Sequence, residues 1–314
     1  MPDFPADSFA APYIGRFAPS PTGPLHFGSL LAALASYLDA RQQHGLWLLR
    51  IEDIDPPRED PTAASRILQI LDAYGLHWDG EVRYQSQRHD NYLATLDQLI
   101  QQGDAFACAC SRKQLQNTLH LDGHCLAPVP ENPDLPDSCA WRFKVRSTQQ
   151  EPLCFDDRLQ GQFCLSPAQD IGDFVIRRRD MLWSYQLAVV TDDHDQGINQ
   201  IVRGIDLIDS TQRQLLIYQA LGWPAPIYAH IPVAVEQNGQ KLSKQNLARA
   251  LEPDDSGSTL WTALQWLKQS PPIELQQDGN QRLLDWAIQH WNPNVLTGQQ
   301  QLAAPAQFQR LPGN

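Results

Sequence analysis

The sequence lacks any hydrophobic run long enough to cross a bilayer, and its first residues lack the layout of a signal peptide. It also has few cysteines for its length, six in 314 residues. That number does not suggest the disulfide framework of a small secreted domain. We therefore expect a cytoplasmic protein with no membrane partner.

Positive charge is also scarce. Lys and Arg total 24 against 36 Asp and Glu, which gives a formal net charge of −12. This balance argues against broad nucleic-acid binding through bulk charge, although a local basic patch is compatible with it. The candidates are the basic runs at 142–146 and 177–179, and the alternative for each is a set of solvated charges at a strand edge.

One stretch near the start combines a strand end, a rigid loop and the beginning of a helix. After Phe17, three prolines and Gly23 keep the chain out of regular structure, and good helix formers follow from Ser29. His26 and Ser29 therefore stand where a helix begins. The unpaired N–H groups and positive dipole of such a terminus favour a phosphate, and an imidazole there can donate to phosphoryl oxygens in a transition state.

A second stretch follows a predicted turn at Asn238 and Gly239 and reads Lys-Leu-Ser-Lys-Gln at 241–245. Lys241 and Lys244 can bring two point charges onto a triphosphate. Taken alone, such a sequence is more often a solvated loop.

Alternating strand and helix patterns predict a doubly wound α/β fold. The run 45–53 reads as a buried strand that ends in charge, and 61–74 and 88–102 have helical spacing. Because ligands bind beyond the carboxyl ends of strands in open α/β sheets, Glu52 should arrive near the first loop. The pattern changes at Ala105 and resumes near Asp173, which indicates an insertion between two halves of the fold.

Three cysteines and two histidines within this insertion form a candidate metal site. Cys108, Cys110 and Cys125 are soft ligands, and His120 and His124 lie close in sequence. The alternative is that Cys108 and Cys110 share one face of a strand and are merely buried. The three remaining cysteines are interpreted as ordinary buried thiols: Cys139, Cys154 and Cys164.

The two phosphate motifs together resemble the ATP signatures of the class I aminoacyl-tRNA synthetases. The first, Arg-Phe-Ala-Pro-Ser-Pro-Thr-Gly-Pro-Leu-His at 16–26, resembles the glutamyl-tRNA synthetase branch. The resemblance implies a Rossmann-like catalytic domain that uses ATP and Mg²⁺. It assigns ATP binding to His26, Gly28, Ser29, Lys241, Leu242, Ser243, Lys244 and Gln245, of which His26, Ser29, Lys241 and Lys244 would be catalytic.

The same resemblance implies L-glutamate as the amino acid. Binding it needs cations for the carboxylates and an anion for the α-ammonium, which Arg16, Arg203 and Glu52 can supply. By resemblance, the glutamate-binding positions are Arg16, Phe17, Ala18, Pro19, Ser20, Glu52, Tyr185 and Arg203. Synthetases of this branch often hold one zinc with Cys-x-Cys, a tyrosine and a cysteine. Here Leu121 replaces that tyrosine, so the fourth ligand could be His120, His124 or water, and loss of the zinc is an alternative.

The predicted organisation has four parts. Residues 1–104 and 173–250 are the catalytic halves, 105–172 is the inserted zinc or acceptor-type subdomain, and 251–314 is a short C-terminal helical region. About seventy residues follow Lys244, so no anticodon-binding domain is expected. The chain therefore resembles the truncated paralogues that attach glutamate to queuosine in the anticodon of tRNA(Asp), and we expect a monomer. The alternatives are a minimal enzyme charging a tRNA 3′ end and a non-catalytic synthetase-like RNA-binding module.

Overall fold

The computed structural model describes residues 12–111, 113–115, 120–236, 239–242 and 249–309. The strands among them are β1 (Ile14–Phe17), β2 (Leu46–Ile51), β3 (Arg83–Tyr84), β4 (Ala105–Cys108), β5 (Ala140–Phe143), β6 (Leu153–Asp157), β7 (Gly161–Leu165), β8 (Phe174–Arg177), β9 (Gln200–Gly204), β10 (Ile227–Ile231), β11 (Val233–Val235) and β12 (Gln301–Ala303). The helices are α1 (Phe27–Gln42), α2 (Ala63–Ala73), α3 (His89–Gln101), α4 (Tyr185–Asp195), α5 (Ile208–Leu221), α6 (Ser256–Trp266) and α7 (Asn280–His290).

Two parallel sheets lie edge to edge at the centre of the fold. One has the strand order β1-β2-β3, and the other pairs β9 with β10. Asn199, just before β9, joins them: its backbone N–H donates to the Ile14 carbonyl oxygen at 3.1 Å, and the Ile14 N–H donates to its Oδ1 at 2.9 Å. The predicted α/β architecture is confirmed.

Helix α1 is buried beneath these sheets because apolar side chains occupy most of its circumference. Leu30, Leu34 and Leu38 are all fully buried. Helices α6 and α7 cover the far side of this core, where Trp266 at the end of α6 and Trp291 just after α7 are buried. This buried helix fixes the position of its own N-terminus, where the candidate site begins.

The segment between the two parallel sheets forms its own strands. Strands β4, β5 and β8 make an antiparallel sheet, and β6 and β7 pair as a hairpin. This sheet crosses the predicted boundary at residue 172, because β8 follows it. The division of the chain at 104, 172 and 250 stays a prediction.

The interpretation of Cys154 and Cys164 as buried thiols is wrong. The register of β6 and β7 places them directly opposite each other on an exposed face, where they form a disulfide bond. Strand alternation sets which face a side chain takes, but the pairing register that brings two cysteines together is a tertiary property. Cys139 is a buried free thiol, as predicted. Among the described residues, no helix is long and apolar enough to cross a membrane.

Candidate active site

The N-terminus of α1 carries the predicted phosphate-binding side chains. His26 is the N-cap residue, and its Nδ1 accepts from the Ser29 backbone N–H at 3.3 Å. A neutral ring in this arrangement keeps its proton on Nε2. A Cβ at Gly28 would lie 3.1 Å from His26 Cε1 and 3.6 Å from the Leu242 carbonyl oxygen, so glycine lets the backbone approach closely here.

A first cavity of about 210 Å³ opens beside this terminus. Ten predicted residues line it: Arg16, Phe17, Ala18, His26, Gly28, Ser29, Tyr185, Arg203, Lys241 and Leu242. Lys241 Nζ lies 2.5 Å from Asp206 Oδ2, and both residues line the cavity. Ser243, Lys244 and Gln245 lie outside the described residues. The two sequence motifs thus meet around one cavity.

A buried charge network holds the strand ends below the cavity. Arg16 binds both oxygens of Asp193, Nε to Oδ1 at 3.1 Å and Nη2 to Oδ2 at 3.3 Å. Arg50 donates to Asp193 Oδ1 at 2.7 Å and to Glu52 Oε1 at 3.3 Å. Burial would raise the pKa of Asp193, but the guanidinium groups of Arg16 and Arg50 outweigh it and hold the pKa below its usual value. The network therefore keeps its charges and fixes both arginines.

At Glu52, burial and the neighbouring arginines also act on the pKa in opposite directions, but here burial has the larger effect. Glu52 is buried, and burial raises the pKa of its carboxyl although Arg50 and Arg16 both oppose the shift. Its backbone N–H donates to the Pro19 carbonyl oxygen at 3.0 Å, which ties β2 to the first loop. A carboxylate held in this way is suited to an ammonium group.

A second chain of contacts fixes Arg203. His230 Nδ1 lies 2.6 Å from Asp157 Oδ2, and Arg203 Nε donates to His230 Nε2 at 3.0 Å. Burial lowers the pKa of His230, and the charge of Arg203 adds to that effect against Asp157. The ring is therefore neutral, with its proton on Nδ1 and an acceptor facing the arginine. Arg203 Nη1 also donates to the Tyr185 hydroxyl at 3.3 Å.

A second cavity, of about 630 Å³, adjoins the first. Ala18, Tyr185 and Leu207 line both, so these residues form a common wall. Ser20 and Glu52 line only the second cavity. Pro19 lines neither and acts through its backbone carbonyl. The predicted glutamate-binding residues thus lie around the junction of the two cavities.

Three cysteine sulfurs are spaced closely enough to bind one metal ion. The Sγ atoms of Cys108, Cys110 and Cys125 lie within 4.8 Å of one another. His120 Nε2 is 3.9 Å from the sulfurs of Cys108 and Cys110, and its Nδ1 lies 2.7 Å from Asp173 Oδ2. His124 is exposed, so of the two histidines only His120 is buried beside the sulfurs.

The basic runs are largely committed to internal contacts. Arg177 is buried with its guanidinium 4.7 Å from the Trp183 ring centroid, and burial lowers its pKa. Arg179 donates to the Ala109 and Cys110 carbonyl oxygens. Arg146 pairs with Asp104 at 2.7 Å. These contacts argue against a basic surface patch. The buried Arg177 also differs from the predicted alternative of solvated charges at a strand edge, which Arg146 and Arg178 fit because they are exposed.

Sequence reasoning missed the residues that hold the predicted arginines. Asp193, Arg50, Asp157 and His230 are buried and charged or polar. Asp193 stands in a helix rich in buried residues, and a carboxylate in such a place signals a buried partner. No comparable pattern marks Asp157 or His230, because their meeting depends on how the β6–β7 hairpin packs on β10.

Comparison with known proteins places this site in a family. The model of the catalytic domain of class I tRNA synthetases (E and Q) matches residues 14–257. The chain is 53% identical over 283 residues to a glutamyl-Q tRNA(Asp) synthetase of Serratia proteamaculans, covering 89% of this chain and 90% of that protein. It is 50% identical over 284 residues to the protein of the same name from Chromobacterium violaceum, covering 89% of this chain and 94% of that one.

Solved structures agree at the level of the fold. A glutamate-tRNA synthetase from Elizabethkingia anophelis superposes with a TM-score of 0.78 at 23% sequence identity, covering 94% of this chain and 68% of that one. The fold, the convergence of both phosphate motifs on one cavity, and the identity along nearly the whole chain lead to one assignment. The chain belongs to the class I tRNA synthetases of the E and Q type and, within them, to the glutamyl-Q tRNA(Asp) synthetase family.

Proposed function

We propose that the protein activates L-glutamate with ATP, without tRNA, and transfers it to queuosine in the anticodon of tRNA(Asp). The observation that carries this proposal is the identity of 50–53% to proteins of that name over about nine-tenths of the chain. The arrangement of charges around the two cavities supports it. A cytoplasmic location and a monomeric state belong to the same proposal.

Activation joins a glutamate α-carboxylate oxygen to the α-phosphorus of ATP and releases pyrophosphate. His26 Nε2, the N–H groups of α1 and Lys241 would stabilise the charge that builds on the phosphoryl oxygens. Lys244 would add a second charge from outside the described residues. Mg²⁺ supplies charge neutralisation on the triphosphate when bound.

Glutamate would lie at the junction of the cavities. Glu52 offers its carboxylate to the α-ammonium, while Arg203 and Arg16 face the carboxylates. Among the described residues, Arg203 Nη1 contacts a single acceptor, the Tyr185 hydroxyl, so its other N–H is available to a carboxylate. The predicted phenylalanine, alanine, proline and serine at 17–20 would shape the backbone around the ligand.

Transfer needs no enzyme nucleophile. A hydroxyl of the queuosine ring attacks the activated carbonyl carbon, the bond to the adenylate oxygen breaks, and AMP leaves with the electron pair while the hydroxyl proton passes to solvent or phosphate. The adenylate is a sufficiently good leaving group for this step.

We further propose one zinc per chain, held by Cys108, Cys110, Cys125 and His120. Tetrahedral zinc with Zn–S near 2.3 Å separates its sulfurs by about 3.8 Å. The observed distances of 3.5 and 4.0 Å from Cys125 Sγ to the other two sulfurs agree with that value. Asp173 would orient the histidine ring from behind, as carboxylates do in zinc sites. The zinc would be structural and stabilise the inserted subdomain.

The deciding experiment uses labelled glutamate and tRNA(Asp) with and without queuosine. Label should attach only to the queuosine-containing tRNA and should survive removal of the 3′-terminal adenosine. Label lost with that adenosine, or found equally on tRNA(Glu), would indicate 3′-end charging. No label on any tRNA and no ATP consumption would indicate a non-catalytic RNA-binding module.

A further inference from the structure

The second cavity extends beyond the residues assigned to glutamate. Five further lining residues, here together called its outer part, are Asp55, Arg58, Glu59, Gln85 and Trp183. None of these residues has a role in the activation step derived above. Because this part shares a wall with the glutamate-binding junction through Tyr185, a molecule bound here lies next to the activated amino acid.

Among the described residues, Glu59 is an acidic residue of this outer part without a cationic partner. Asp55 is paired with Arg58 and lies 3.6 Å from Arg178. Glu59 Oε1 accepts the Asp55 backbone N–H at 2.9 Å, but no arginine or lysine of the described chain forms an ion pair with it. Partial burial and the charges of Asp53 and Asp55 raise the pKa of Glu59. A cationic ligand would relieve this repulsion.

An unsatisfied acceptor lies in the same wall. Gln85 is 1% exposed, and its Nε2 donates to Asp192 Oδ2 at 2.8 Å. Because a carboxylate only accepts, this bond fixes the orientation of the amide. Its Oε1 is buried and has no hydrogen-bond partner among the described residues. Buried acceptors are rarely left unpaired, so this oxygen can accept a hydrogen bond from a water molecule or from a ligand that reaches it.

We propose that the outer part of the second cavity is the acceptor-nucleoside site and binds the side arm of queuosine, an inference that rests on the proposed function. That arm has a secondary ammonium, which suits Glu59, and a cyclopentene ring with two hydroxyls. One hydroxyl donates to Gln85 Oε1, and the ring packs against the apolar wall of Ile54, Trp183 and Leu207. The common wall at Tyr185 then places the other hydroxyl towards the activated glutamate.

The main test compares Glu59→Gln with Glu81→Gln. Both variants remove one negative charge, and Glu81 is exposed and does not line the cavity. Any general gain in attraction for the tRNA phosphates is therefore the same in both. We expect Glu59→Gln to raise the KM for queuosine-containing tRNA(Asp) about tenfold, as for loss of one charged hydrogen bond. Glu81→Gln should leave that KM unchanged or lower it.

A second experiment tests the contact between Glu59 and the amine alone. A tRNA(Asp) whose modified base ends at the aminomethyl group, without the cyclopentene ring, should inhibit the wild-type transfer more strongly than tRNA(Asp) with unmodified guanosine. Glu59→Gln should lose that difference. If Glu59→Gln matches Glu81→Gln in both assays, the site assignment is overturned.

Gln85→Met distinguishes the acceptor site from the glutamate site. It should raise the KM for the tRNA but not the KM for glutamate in tRNA-free pyrophosphate exchange. A raised KM for glutamate would mean that Gln85 binds the α-ammonium of glutamate. That result would overturn the proposed contact between Gln85 and queuosine. Should this variant fail to fold, the Glu59 comparison still decides. Wild-type protein that transfers nothing to queuosine would refute the proposed function itself.

Discussion

The two arginines of the candidate glutamate site are held in place by neighbouring buried side chains. Arg16 is fixed by both oxygens of Asp193, and Arg203 is fixed by the neutral ring of His230. Each arginine therefore keeps its side chain in place before any ligand arrives, so less conformational entropy is lost on binding.

Lys241→Ala should lower the rate of pyrophosphate exchange at saturating glutamate by about 10²–10³, as for loss of one preorganised transition-state donor. The KM for glutamate should change little, because Lys241 pairs with Asp206 and is proposed to act on the phosphates of ATP. Lys113→Ala, at an exposed position, is the control and should match wild type. A raised KM for glutamate with an unchanged maximal rate would contradict the placement of Lys241.

His230 should make the free energy of unfolding depend on pH between about 8 and 5.5. Its pKa is lowered in the folded state, so below about pH 6.5 the unfolded chain binds more protons and stability is lost as pH falls. The loss from this residue at pH 5.5 is at most about 1.4 kcal/mol. Urea unfolding at both pH values should show a smaller difference for His230→Gln than for wild type.

His77→Gln is the matched control for that experiment, because His77 is exposed. It should retain the wild-type difference between the two pH values. Equal pH dependence in His230→Gln and His77→Gln would mean that His230 titrates normally in the folded protein.

At the scale of elements, turns and hairpins connect distant functional groups. Strand β4 supplies Cys108, and the loops around it supply Cys110, His120 and Cys125. The β6–β7 hairpin packs on β10 so that Asp157 reaches His230. The β6–β7 hairpin therefore helps to fix Arg203, which lines the first cavity, through Asp157 and His230.

Purified protein should contain about one zinc per chain by metal analysis. Cys125→Ser should lower that content strongly, since the site loses one of its four ligands. Cys139→Ser removes a buried thiol outside the cluster and should retain the metal. Protein purified without chelators that contains no zinc would instead identify these cysteines as core residues.

At the scale of the whole molecule, the described charged groups of the candidate site meet within one chain. These groups come from β1, β2, α4, β9 and β10, and they contact one another within the chain. No element has to move for Arg16, Arg50 and Asp193 to meet. Arg16 and Arg50 are therefore held in place by contacts within the chain, which supports the proposed amino-acid site.

Pyrophosphate exchange should accordingly require ATP, Mg²⁺ and L-glutamate but no tRNA. Aspartate should fail, because its shorter side chain leaves a buried arginine unpaired, a loss of about 2–5 kcal/mol. The assay is run with and without added tRNA and with both amino acids. Strict dependence on tRNA, or equal rates with aspartate, would contradict a preformed glutamate site.

The amino-acid sequence by itself determined the catalytic frame. The buried helix after His26 and the strand before Glu52 follow from local propensity and periodicity, which are encoded in neighbouring residues, while the two phosphate motifs were assigned by resemblance to a family. The sequence also predicts the cysteine cluster, because Cys125, His120 and His124 lie close to Cys108 and Cys110 along the chain.

Only the tertiary structure decided which residues hold the predicted site residues in place. Asp193 meets Arg16 across 177 positions and Asp157 meets His230 across 73, separations over which a single sequence carries no pairing signal. The disulfide between Cys154 and Cys164, the burial of His120 but not His124, and the Gln85 oxygen that lacks a partner among the described residues have the same origin. Each depends on strand register and on the packing of separate elements, which local patterns do not specify.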